Sequence, residues 1–103
     1  MNRTVEEALD AAVTNWNAMS RAEEDEAEPA ADRFEASFYR FIDVFRDWMA
    51  GLDPRPQTME ALYRLPEVRA IAEKLPGPLQ LNFETEAELI LDGMERIGED
   101  KYD

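Results

Sequence analysis

The sequence predicts an all-α protein, an irregular bundle of four to five helices, three longer and two short, with one extended linker. Two observations carry this. Apolar residues recur at helical spacing along three long stretches, and residues suited to helix caps and helix starts stand at the heads of those stretches. A third observation removes the alternative, because only one short segment alternates in the manner of a strand and no second segment is present to pair with it.

The first helix is expected to begin at Thr4, with Glu7 three residues on completing a capping box. Val5, Ala8, Leu9, Ala12, Val13, Trp16 and Met19 then fall on one flank at about 100° per residue, a face that must be buried. The run Glu23, Glu24, Asp25, Glu26 and Glu28 should end this helix, since carboxylates at a helix C-terminus oppose its dipole and repel one another. Pro29 fits the first turn of the next helix, where its missing N–H costs nothing.

That second helix has the bulkiest stripe in the chain, made of Phe34, Phe38, Phe41, Ile42, Phe45, Trp48, Met49 and Leu52, and it is expected to form the centre of the core. Asp32, Arg33, Arg40, Asp43 and Asp47 take the opposite side, and Gly51 is placed to supply a left-handed C-terminal cap. Pro54 and Pro56 stiffen the connection that follows. Thr58 caps a short helix reaching about Arg64, and Pro66 opens another whose apolar side is Val68, Ile71, Ala72 and Leu75.

Pro76-Gly77-Pro78 reads as a stop, after which Leu79, Leu81 and Phe83 alternate with polar residues as in an extended segment buried on one side. Thr85 and Glu88 form a second capping box, opening a last helix with Leu89, Ile90, Met94 and Ile97 inside and Gly98 at its end. Gly93 within it marks either a close approach by another element or a tolerated surface glycine. The 103 residues suit one helical domain over 1–98, with 99–103 a frayed acidic tail.

Composition bounds what such a domain does. Hydrophobic residues make up 45% of the chain and aromatic residues 10%, enough to build a core although 34% of residues are charged. No cysteine is present, which excludes disulfides and thiolate chemistry, and the N-terminus has no apolar signal region, so the expected location is the cytoplasm. A formal net charge of −13 repels nucleic acid and anionic lipid, so neither direct nucleic-acid binding nor membrane association is expected.

Histidine is also absent, which removes the commonest general base, the commonest metal ligand and every triad built on them. Ser20 and Ser37 are the only serines and neither lies in a nucleophile elbow, while the four scattered glycines form no phosphate loop. No cofactor is expected. Carboxylates remain as ligands for a hard divalent cation.

Glu6, Glu7 and Asp10 read Glu-Glu-x-x-Asp, which resembles half the metal-binding pattern of the all-α nucleoside triphosphate pyrophosphohydrolases of the MazG type. The resemblance covers that short stretch alone, and the second pair it requires has Glu88 and Asp92 as its nearest counterparts, four apart rather than three. It implies a Mg²⁺-dependent nucleotide phosphohydrolase with Glu7, Asp10, Glu88 and Asp92 as ligands. Beside it stands a purely local reading, with Glu7 a capping partner and Asp10 a solvent-facing residue.

The principal expectation is a small regulatory or accessory protein that acts by protein contact and catalyses nothing itself. Trp16, Tyr39, Val44 and Tyr63 flank or extend the apolar stripes and are the expected interface anchors, for a partner protein or for a homodimer. The acidic patch Glu23, Glu24, Asp25, Glu26 and Glu28 would favour a basic partner. An acidic nucleic-acid mimic that inhibits a DNA-binding protein is a further reading, opposed by the arginines interspersed at Arg33, Arg40, Arg46, Arg64 and Arg69.

Overall fold

A computed structural model describes the backbone of residues 2–100 and the side chains of residues 2–93. It contains five α-helices and no strand among the described residues: α1 (Arg3–Arg21), α2 (Ala27–Ala50), α3 (Met59–Tyr63), α4 (Pro66–Lys74) and α5 (Gly77–Asp100). The all-α class, with three longer helices and two short ones, is therefore as the periodicity predicts. The chain divides into two compact units, Met1–Ala50 and Gly51–Asp103.

The first unit is a helical hairpin. Its α1 begins one residue before the expected cap: Asn2 is the N-cap, and its Oδ1 accepts from the amides of Thr4 at 2.8 Å and Val5 at 3.3 Å. The capping box at Thr4 and Glu7 does not form. Asn2 and Thr4 both qualify as caps, and Asn is the better one because its carbonyl reaches two orphan amides at once. Glu7 instead pairs with Arg3 Nε at 3.1 Å, an exposed bond one helical turn long.

Helix α1 ends at Arg21 as the acidic run predicts, with the amide of Ala22 returning to the Met19 carbonyl at 3.2 Å. A single 3-10 turn at Glu24–Glu26 reverses the chain, and Pro29 lies in the first turn of α2. Val5, Ala8, Leu9 and Ala12 on α1 and Phe38, Phe41, Ile42, Phe45 and Met49 on α2 are buried. Rings run along α2 from Phe34 through Phe38, Phe41 and Phe45 to Trp48, with successive centroids 5.7–6.3 Å apart. The expectation of a left-handed cap at Gly51 fails, since no glycine among the described residues has positive φ.

In the second unit Thr58 caps α3, its Oγ1 accepting from the Ala61 amide at 3.1 Å, and Pro66 opens α4, both as the sequence predicts. Arg69 Nε donates to the Tyr63 carbonyl at 3.2 Å and so ties α4 back to the end of α3. Leu62, Val68, Ile71, Leu75, Leu79, Phe83, Ala87, Ile90 and Leu91 are buried.

The largest departure from the sequence reading is at residues 79–84, which are helical rather than extended. Pro76-Gly77-Pro78 ends α4 and at once begins α5, because a proline in a first helical turn lacks only a donor the helix would not use. Leu79 and Phe83 are buried four residues apart and Leu81 between them is exposed, which is helical phase and not alternation. Thr85 and Glu88 consequently lie inside α5 and cap nothing. Leu89, expected inside, is exposed, while Ile90 is buried as expected. A Cβ added at Gly93 meets nothing within 4 Å among the described residues, so none of them packs close there. The side chains of Met94 and Ile97, and residues 101–103 of the expected tail, lie outside the described residues; the backbone helix continues past Gly98 to Asp100.

Candidate functional site

Exposed large apolar side chains are the residues that a folded chain has least reason to leave in water, and three stand out: Leu81 at 68%, Leu89 at 58% and Tyr39 at 50% exposure. Two of the three belong to α5. Eight residues at about 100° each place Leu81 and Leu89 about 80° apart around the helix, and at about 1.5 Å per residue they stand about 12 Å apart along it. Thr85, midway between them, is exposed on the same flank, as are Asp92, within the arc the two leucines span, and Glu88, about 20° beyond Leu81. The buried stripe of Leu79, Phe83, Ala87, Ile90 and Leu91 occupies the other side of α5. This helix is thus apolar on its inner flank and carries two exposed leucines among polar and acidic residues on its outer one.

Of the four anchors expected from sequence, Trp16, Tyr39 and Val44 belong to the first unit and Tyr63 to the second, and none is on α5. Tyr39 is exposed and meets Phe38 edge on, with centroids 5.8 Å apart and ring planes at 76°. Trp16 is half-buried, its ring edge on Phe34, so part of its surface already serves the hairpin. Val44 is half-buried and lines a shallow hollow of about 270 Å³ with Asn2, Thr4, Asp47 and Trp48. Tyr63 is half-buried in the second unit beside Phe83 and Glu84, around a hollow of about 300 Å³. Burial, first, and the negative charge of Glu84, second, push the Tyr63 phenol above its ordinary pKa of 10.0. Sequence reasoning missed Leu81 and Leu89 because it placed Leu81 in a buried strand-like segment and Leu89 on an inner face.

The acidic patch is at the hairpin tip. Glu23, Glu24, Asp25, Glu26 and Glu28 are all exposed, and the 3-10 turn closes on a bond from the Glu26 amide to the Glu23 carbonyl at 2.8 Å. Arg21 and Arg33 line the same hollow as Glu23, Asp25 and Glu26, so two guanidinium groups share the tip with the carboxylates. That mixture weakens the field which an uninterrupted acidic run would project.

Among the described residues no group of three acidic, histidine or cysteine side chains is arranged to hold a metal ion. Glu7 is engaged by Arg3, while Asp10, Glu88 and Asp92 are exposed on their helices. Also among the described residues, no helix is long and apolar enough to cross a membrane. The chain matches no family model, no curated protein and no solved structure.

Proposed function

We propose that this protein acts by protein contact, as a small acidic docking module whose outer α5 flank receives a basic amphipathic helix of a partner. The observation that carries the reading is the exposure of Leu81 and Leu89 on one flank of α5 that also carries Glu88 and Asp92. A helix laid along that flank would place apolar residues on the two leucines, about two turns apart, and basic residues against the two carboxylates. Covering the leucines contributes about 1.5–3 kcal/mol for each side chain fully removed from water. The carboxylates add specificity and speed of encounter more than affinity.

Charge favours this occupant over a second copy of the chain. A second copy would bring together two chains of net charge −13, and in a parallel two-fold contact Glu88 and Asp92 would meet their own like, whereas a basic helix meets opposite charge.

A designed amphipathic helix with leucines two turns apart and flanking lysines tests the proposal by calorimetry. The expected result is saturable one-to-one binding that weakens as salt rises and falls at least about tenfold in the uncharged double variant Leu81→Ser/Leu89→Ser. Equal binding by the variant would show that attraction is merely general to an acidic protein, and the docking flank would have to be abandoned.

A further inference from the structure

The hollow beside Tyr63 has a lining that selects for charge. Leu75 and Phe83, both buried, line it together with Ala72 and with Tyr63, Gln80 and Glu84, whose side chains carry polar groups. None of the described residues lining it is basic. Gln80 Nε2 donates to the carbonyls of Ala72 at 3.1 Å and Leu75 at 3.4 Å, which commits its donor end to α4 and leaves its Oε1 to serve as an acceptor. Those two carbonyls belong to the C-terminal end of α4, where the helix dipole is negative. The lining therefore combines a carboxylate, the end of a helix and an aromatic ring with apolar side chains.

We infer that this hollow is a binding site for an alkylammonium or alkylguanidinium group, with the cation between the Glu84 carboxylate and the Tyr63 ring and the alkyl stem lying on Leu75 and Phe83. A cation is attracted by the ring face and by the carboxylate together, and an anion is repelled by both. The volume of about 300 Å³ is at the small end of ligand pockets and suits a single side-chain-sized cation. Such a group has two sources, an arginine or lysine side chain of another protein or a free small amine. The site lies apart from Leu81 and Leu89 in its residues and does not depend on the docking flank.

Three probes distinguish these cases by nuclear magnetic resonance titration of the intact protein: agmatine, acetyl-arginine methylamide and its neutral citrulline counterpart. Saturable shifts confined to Tyr63, Gln80, Glu84 and their neighbours are expected with one or both cations and none with the citrulline compound. Binding of agmatine alone identifies a free amine as the ligand, and binding of the capped arginine identifies a protein side chain. Glu84→Gln, a change at an exposed position, should weaken the cation about tenfold, and Tyr63→Leu should weaken it further while Tyr63→Phe retains most of it. Equal response to citrulline and arginine, unchanged affinity in Glu84→Gln, or no response to either cation would overturn the site.

Discussion

Trp16 of α1 and Phe34 of α2 meet edge to face, their ring centroids 5.2 Å apart and their planes at 64°. These residues stand on either side of the acidic turn, so this pair closes the hairpin at the end where carboxylates crowd together. The edge of one ring is positive and the face of the other negative, and the contact gains about 1 kcal/mol beyond the area it buries. A double-mutant cycle with Trp16→Ala and Phe34→Ala, followed by urea unfolding, should return a coupling energy of about 1 kcal/mol. Additive losses would mean that the rings do not share the contact.

The start of α1 offers a test in which two neighbouring residues exchange roles. Asn2→Ala should cost about 1 kcal/mol because the Thr4 and Val5 amides lose their acceptor. Thr4→Ala should cost only a few tenths, as expected of an exposed residue in a first helical turn. A larger loss at Thr4 than at Asn2 in thermal unfolding would restore the cap the sequence pattern predicts.

Proline distinguishes a continuous α5 from a helix that begins at Thr85. Were Thr85 a cap, Glu86 would be the first helical residue and would accept proline readily. Within a helix running from Gly77, Glu86→Pro removes an interior hydrogen bond and clashes with the preceding turn, at about 3 kcal/mol or more. Denaturant unfolding of this variant should show that loss, and a neutral result would contradict the continuous helix.

The phenol of Tyr63 links the second unit to alkaline pH. Its folded pKa is raised, so the folded chain favours the neutral phenol. The associated stability is complete below the unfolded value of 10.0 and is lost as pH climbs from there through the higher folded value. Glu84→Gln removes the lesser of the two causes, so the folded pKa should fall yet stay above 10.0 and the window should narrow from its upper end. Tyrosinate absorbance, read in a Tyr39→Phe/Tyr102→Phe background that leaves Tyr63 the sole phenol, checks the direction; no change on losing Glu84 would separate the two groups.

Much of the architecture is legible in the residues because long stripes at helical spacing have few interpretations. Phe38, Phe41, Phe45 and Met49 repeat through enough turns that only a helix gathers them, and Thr58 and Pro66 mark the short helices where they begin. The segment from Leu79 to Phe83 was ambiguous for a physical reason. Positions i and i+4 share a face in a helix and also in a strand, so two of its three apolar residues fit both, and only Leu81 distinguishes them. Leu79, Phe83, Ala87 and Leu91 at steps of four, with Pro78 near the start, carried the helical signal.

The candidate site inherits that ambiguity. Tyr39 and Val44 are recognisable as flanking positions because the phase of α2 is plain, and both do reach the surface, Tyr39 more fully. Leu81 and Leu89 become visible as a surface pair only when α5 is one helix with one phase from Gly77 onward. Half a pattern such as Glu-Glu-x-x-Asp recurs easily in a chain with 24 acidic residues, and in the structure Glu7 is held by Arg3.

The docking flank is tested most directly by methyl-labelled nuclear magnetic resonance during titration with the basic amphipathic helix. The methyl signals of Leu81 and Leu89 should move together and saturate at one equivalent, while those of buried Leu79 and Leu91 stay nearly fixed. Movement confined to the hairpin tip at Glu23–Glu26, with the two α5 leucines unaffected, would contradict the account.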